Sequence, residues 1–243
     1  MGVDVERFIR ENEWLFRVEL SREDIEALAE AFSGVSNPVD VAFLVRSRGC
    51  LTCGPAMEIA RALEEAVGIA GKSGVVRIEI LSLEEEQGRE LSRRLGILRT
   101  PATVILGGSI RYIGTPSGEE FKAIVETIAR VGEGNPALDP GTLDRVRRFR
   151  GRARIEVLVT PMCPYCPYAV VTANMLAYAS RLYGNGGLVA ETVELYENPD
   201  VAERYGVATV PSIAVNGRLA FIGLPSDTVL MEIVERYSQQ EVY

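Results

Sequence analysis

Cys50-Leu51-Thr52-Cys53 and Cys163-Pro164-Tyr165-Cys166 hold all four cysteines of the chain, in two identical spacings. Two residues between thiols let a pair close into a small disulfide ring and reopen by exchange. The same spacing also furnishes half of a zinc site. Histidine is absent, which excludes His-ligated zinc and every scheme built on a His base or nucleophile. Zinc sites made of two such pairs separate them by about 15–20 residues. Here 109 residues lie between Cys53 and Cys163, so a structural zinc protein is the remote alternative to two redox pairs.

The elements that must position these thiols occur twice. A short apolar run precedes each motif, over 41–45 and 155–159, and reads as a strand. A helical pattern follows each motif: Met57, Ile59, Ala60, Leu63 and Val67 in the first half, Val170, Val171, Met175, Leu176, Ala179 and Leu182 in the second. Second strands are expected over 75–81 and 188–195, then short helices ending near Gly96 and Gly206. Thr100-Pro101 and Val210-Pro211 lead into third strands, and Gly107-Gly108 and Asn216-Gly217 read as hairpin turns into fourth strands. Gly-x-Pro-Ser recurs at 114–117 and 223–226, before amphipathic helices over 118–131 and 227–237. The offset between halves is 113 residues at the motifs, 110 at the prolines and 109 at the Gly-x-Pro-Ser segments, as expected of a duplication with small loop deletions. Helix breakers over 132–141 place the boundary between units at 1–133 and 134–243. One further helix precedes each unit, over 22–33 and 142–150, and the first 20 residues read as a capping helix.

Composition bounds the rest. A chain of 243 residues with 47% hydrophobic content supports two ordinary cores without disulfide staples. A net charge of −8 argues against nucleic acid as a partner. Charges at Asp4, Glu6, Arg7, Arg10, Glu11 and Glu13 interrupt any signal peptide, and no run is long enough for a membrane helix. A cytoplasmic protein is expected, where disulfides are mostly catalytic. The 24 arginines against 2 lysines and 3 glutamines hint at a thermophile. No Gly-x-Gly-x-x-Gly or Walker pattern is present, so no dinucleotide is expected to bind.

The element order of each unit, with a CxxC where the first strand meets a helix and a proline before the third strand, resembles the thioredoxin fold. The resemblance covers nearly the whole chain, twice. It implies an α/β architecture of two tandem units, each a central mixed four-stranded sheet flanked by helices, with an extra N-terminal helix per unit. Two intact motifs in tandem look like the protein disulfide oxidoreductases of thermophiles, relatives in kind of protein disulfide isomerase, and Cys163-Pro-Tyr-Cys166 is similar to a glutaredoxin motif.

The resemblance implies thiol–disulfide exchange on protein substrates, with no cofactor beyond the disulfides themselves. Cys50 and Cys163, expected at helix N-termini where amides favour thiolate, are the nucleophiles. Cys53 and Cys166, expected one turn inside, are the resolving thiols. Pro164 is expected in the first turn of the second helix. The family's matching proline is cis, so Pro101 and Pro211 are expected to be cis, and Thr100 and Val210 to pair with extended substrate. Thioredoxins keep a buried acid under the resolving cysteine; Glu156 is the candidate, with Glu79 and Glu194 behind it. Neither motif holds the histidine of isomerase-type oxidants, which favours a reducing or intermediate role. The second unit is expected to be the main catalyst. A thioredoxin-reductase-like flavoprotein is the expected electron donor. The alternative is an electron-relay adaptor for a peroxiredoxin.

Overall fold

The computed structural model describes residues 4–238. The chain opens with α1 (Val5–Glu11), a 3-10 turn over Glu13–Phe16, and α2 (Arg22–Ala31). Ser21 and Asp24 form a reciprocal capping box that fixes where α2 starts. The first unit continues as β1 (Val39–Val45), α3 (Cys53–Ile69), β2 (Val76–Ser82), α4 (Glu86–Leu95), β3 (Ala102–Ile105), β4 (Ile110–Ile113) and α5 (Glu120–Glu133). The second repeats it as α6 (Pro140–Arg148), β5 (Ala153–Val159), α7 (Cys166–Tyr183), β6 (Leu188–Glu194), α8 (Pro199–Tyr205), β7 (Ser212–Val215), β8 (Arg218–Ile222) and α9 (Asp227–Ser238). Every expected strand and helix is present, displaced by at most a few residues. The breakers expected over 132–141 behave differently. α5 runs through Gly132 to Glu133, and Pro140 and Gly141 open α6, a first turn that needs no proline N–H. Among the described residues no helix is long and apolar enough to cross a membrane.

The two four-stranded sheets are one. Strand order is β2-β1-β3-β4-β6-β5-β7-β8, with β4 of the first unit pairing β6 of the second in parallel. The seam registers Ile110 with Ala190 and Ile113 with Val193. Alternation along these strands sorts side chains onto two faces. Ile110, Tyr112, Ile155, Val157, Leu188 and Ala190 join the large core beneath α3, α5 and α7. Ile113, Leu158 and Val193 join a smaller core on the other face, with Val201 of α8.

Polar contacts tighten the seam on both faces. Asn174 donates to Thr127 Oγ1 at 2.9 Å and Tyr178 to the Val131 carbonyl at 2.9 Å, tying α7 to α5. On the other face Arg111 meets Glu191 at 3.3 Å, and Arg99 forks onto Asp200 at 2.5 and 2.8 Å. The N-terminal segment straddles both units: the Phe8 ring lies tilted against that of Tyr196, centroids 5.1 Å apart, and Ser117 donates to the Leu15 carbonyl at 2.7 Å.

The repeated Gly-x-Pro-Ser segments have the same backbone in unlike surroundings. Gly114 and Gly223 both sit at positive φ, 113° and 104°. A Cβ on Gly114 would meet Glu194 Cβ at 2.8 Å across the seam, while one on Gly223 would meet nothing nearer than 4.0 Å. Gly223→Ala is expected to cost about 1 kcal/mol of backbone strain. Gly114→Ala is expected to cost roughly 1–3 kcal/mol more, from overpacking. Urea unfolding of the two variants side by side checks this; equal losses would mean that the seam yields freely at Gly114.

Candidate active site

Each CxxC motif occupies the turn between a buried strand and the helix that covers it. Arg46 to Thr52 leads from β1 into α3, and Thr160 to Tyr165 leads from β5 into α7. Cys50 is joined to Cys53 and Cys163 to Cys166, with Cα separations of 5.5 and 5.4 Å. The cysteines are thus paired within motifs rather than gathered as one four-ligand set.

The helices begin later than expected. Cys53 and Cys166 are their first residues, and Cys50 and Cys163 lie in the preceding turn. Pro164 is therefore exposed ahead of α7, and Pro167 takes the first-turn position instead. A proline there forfeits no helical hydrogen bond, which lets the helix start at Cys166. The expected polarity survives this shift, because the Cys166 N–H points back to Cys163 Sγ at 3.1 Å. In the first unit the Arg46 N–H lies 3.4 Å from Cys53 Sγ. The first cysteine of each pair is the more accessible. Cys163 is 7% exposed against 0% for Cys166, and Cys50 is half-buried against 2% for Cys53.

Thr100-Pro101 and Val210-Pro211 are both cis peptides. The Pro101 carbonyl accepts from Gly114 at 2.9 Å and the Pro211 carbonyl from Gly223 at 2.8 Å, so each Gly-x-Pro-Ser loop is held beside its cis proline. Thr100 and Pro101 line a cleft of about 330 Å³ together with Cys50, Leu51 and Thr52. The surroundings of the second motif differ. Met162, Tyr165 and Tyr168 project from it into solvent, and Leu224 is exposed on the loop held by Pro211.

Glu156 does not lie where the resemblance put it. It alternates with Ile155 and Val157, which face α7, so its side chain is on the opposite side of the sheet from Cys166. There it is buried, accepts from Tyr205 Oη at 2.6 Å and lies 3.8 Å from Arg154. Glu79 also faces away from the motif helices, in a cleft with Arg77 and Arg94.

Comparison with known proteins agrees with this geometry. Residues 153–235 match the thioredoxin domain family model. The chain is 33% identical over 85 residues to a thioredoxin of Methanocaldococcus jannaschii, a match covering 35% of this chain and 95% of that one. It superposes on a protein disulfide oxidoreductase from Aeropyrum pernix with a TM-score of 0.86 and 34% identity, over 93% of this chain and 97% of that one. The chain belongs to the tandem thioredoxin-fold protein disulfide oxidoreductases. The alkylhydroperoxide reductase AhpF of Enterococcus faecalis shares the fold, with a TM-score of 0.72 at 20% identity, over 88% of this chain and 99% of that one. The chemistry of this oxidoreductase is thiol–disulfide exchange.

The oxidoreductase carries buried acids that sequence reasoning passed over or ranked low. Glu194, at the end of β6, faces the motif helices and is fully buried. It accepts from the Tyr196 and Glu197 amides at 2.8 and 2.7 Å. Glu120, in the first turn of α5, is also fully buried, and neither of its carboxylate oxygens has a hydrogen-bond partner among the described residues. Thr127–Asn174 and Val131–Tyr178 share an offset of 47 residues. Carried back along these parallel helices, that register sets Glu120 level with Cys166 and Pro167. The Glu119 N–H bonds the Pro161 carbonyl at 2.9 Å, fixing the same end. Nothing in the first unit's own pattern marks Glu120, because its environment is made by the second unit.

Burial, with Glu119 adding repulsion, pushes the Glu120 carboxyl up to about 8. Burial likewise raises the Glu194–Glu197 pair. Glu120 keeps its proton in the folded chain up to about pH 8, but in the unfolded chain only up to the ordinary 4.5. Stability is therefore expected to fall as pH rises between those values, by up to roughly 4 kcal/mol from this group. Glu120→Gln should flatten that fall, measured by urea unfolding at pH 5 and pH 8. An unchanged slope would mean that Glu120 is ionised in the fold.

Proposed function

We propose that the chain exchanges disulfides with polypeptide substrates, chiefly through the second motif and in the reducing direction. The observation that carries this is the exposure of Met162, Tyr165 and Tyr168, which flank Cys163 and Cys166 along the chain, a surface suited to extended, partly unfolded protein. The similarity to protein disulfide oxidoreductases of both fold and sequence supports the substrate class.

In this reading the Cys163 thiolate is favoured by the α7 N-terminus and the Cys166 amide. It attacks a substrate disulfide, forming a Cys163–substrate S–S bond and releasing one substrate thiolate. Cys166 then loses its proton, attacks Cys163 Sγ and displaces the second substrate thiolate. The enzyme ends oxidised, and the substrate takes two electrons and two protons. Glu120, rather than Glu156, takes the Cys166 proton in its ionised form, which is the minor form at neutrality and grows toward pH 8. Val210, ahead of the cis Pro211, offers backbone to the substrate strand, as Thr100 does ahead of Pro101 beside Cys50. The functional units are taken as 1–133 and 134–243, working in the cytoplasm. A reductase of the thioredoxin-reductase kind regenerates the dithiol. The 30% identity over 110 residues to an alkyl hydroperoxide reductase component of Pseudomonas aeruginosa, of which the match spans 20%, supports a reductase as partner. It also favours, as a second reading, a relay of electrons toward a peroxiredoxin.

Dithiothreitol-driven reduction of insulin tests the assignment. Cys163→Ser is expected to lower the rate by about 100-fold, while Cys50→Ser keeps at least about half of it. If Cys50→Ser abolishes the rate and Cys163→Ser does not, the sites have been ranked the wrong way round.

A further inference from the structure

The first motif has a feature that its own unit cannot supply. Thr52, between Cys50 and Cys53, is buried, and its hydroxyl donates to a carboxylate oxygen of Glu197, a residue of the second unit. The other oxygen of Glu197 accepts the Thr115 amide at 2.5 Å, and Thr115 Oγ1 lies 3.4 Å from the Thr52 carbonyl. Glu197 and Cys50 line the same cleft of about 330 Å³. We propose that Glu197 is the positioning and proton-holding residue of the Cys50–Cys53 site, lent to it across the seam by the second unit. The proposal rests on the first motif being a redox site.

The surroundings of Glu197 set what it can do. Glu194 from β6 adjoins it, and Glu120 from α5 and the Tyr112 hydroxyl from β4 act on the same cluster. Tyr112 Oη has no hydrogen-bond partner among the described residues, and burial raises this phenol well above its ordinary value, so it stays neutral. Glu6 and Arg10 of α1 stand at the cleft mouth with Arg99, whose guanidinium is already occupied by Asp200 and Asn198. Burial favours a proton on Glu197, while the Thr52 and Thr115 bonds favour its loss. A carboxyl so balanced can change state as a neighbouring thiol does.

The Cys50 thiol passes its proton across the cleft to Glu197, and the thiolate attacks a substrate disulfide. A Cys50–substrate S–S bond forms, and the departing substrate thiolate takes the proton from Glu197. The Cys53 thiol then gives up its proton by the same group and attacks Cys50 Sγ, and the second substrate thiolate leaves protonated. Two electrons and two protons pass to the substrate. Glu197 ends as it began.

The test uses the full chain carrying Cys163→Ser and Cys166→Ser, so that only the first site reports. The rate of Cys50 alkylation by iodoacetamide is followed from pH 4 to 9, beside dithiothreitol-driven insulin reduction. With Glu197 present the alkylation profile is expected to show two inflections, because thiol and carboxyl titrate together. Glu197→Gln should leave one inflection at lower pH, since a negative neighbour is gone, and slow insulin reduction by about tenfold. Glu197→Asp should recover part of that loss. Thr52→Val removes a bond to the charged carboxylate and should move the carboxyl inflection to higher pH. A slower reaction with an unchanged alkylation profile would mark Glu197 as merely structural and overturn the proposal, as would an unaffected rate. If the background variant reduces no insulin even with Glu197 intact, the reading of the first motif as a redox site fails. The alkylation profile then still decides whether Glu197 acts on Cys50.

Discussion

The parallel ladder between β4 and β6 is the interaction on which the rest of the molecule depends. Its four residue pairs, Ile110 with Ala190 through Ile113 with Val193, join two sheets edge to edge. An edge strand carries unpaired N–H and C=O groups that must find partners or water. Here each unit supplies the other's partner. The register then decides everything that faces across the seam, because a slip of one residue would exchange the two faces of a strand. In the observed register Arg111 and Glu191 meet on one face, and Tyr112 and Glu194 share the other, under the motif helices. Gly114 follows directly from β4 and allows Glu194 and Glu197 to approach closely.

Each unit was legible in the sequence because its elements are coded locally. Strand alternation, helical periodicity, the CxxC pairs and the two prolines all recur with nearly constant offset, so one half served as a check on the other. The cis state of Pro101 and Pro211 followed from that resemblance. The seam was not legible, since backbone hydrogen bonds between edge strands leave no mark on side-chain order. The proton-handling residues were hidden for the same reason. Glu156 looked suitable because it interrupts an apolar strand, yet period-2 alternation turns it away from Cys166 and toward Tyr205. Glu120 and Glu197 look like ordinary acids near helix starts, where charge is common. Only contact with the opposite unit makes them buried. Both motif helices start one turn later than expected, at Cys53 and Cys166, which leaves Pro164 ahead of α7.

The duplication has not kept the two sites alike. The first opens into a cleft whose rim carries Glu6, Arg10 and Arg99, with α1 packed beside it. The second carries exposed Met162, Tyr165 and Tyr168 in and beside its motif. Charged rims steer and select partners, whereas apolar rims bind extended chain with little discrimination. α1 has no counterpart before the second unit, where the connection passes through α6 and Arg145 is engaged by Glu232 and Glu235 at 2.7 Å. The added segment therefore supplies part of the charged rim of the first site, while the apolar surface of the second comes from its own motif residues.

The seam also explains why acids can persist where apolar residues would be more stable. Three carboxyls close together and out of water cannot all ionise, so protons remain on some of them at neutral pH. Apolar replacements would remove that cost, and nothing in the packing of α5 or β6 demands a carboxyl. Disulfide exchange, however, moves a proton with each thiol that forms or is consumed. A group that neither gains nor loses its proton near pH 7 is of no use to it, and an exposed glutamate is such a group. Burial between two units raises the carboxyls into the working range without placing any of them inside the core of one unit. Glu120 sits level with Cys166, and Glu197 with Thr52 of the first motif, each from the unit opposite the site it adjoins. On this reading the joining of the sheets is part of the chemistry, because a separated unit would keep its cysteines and its cis proline but lose the acid that serves them.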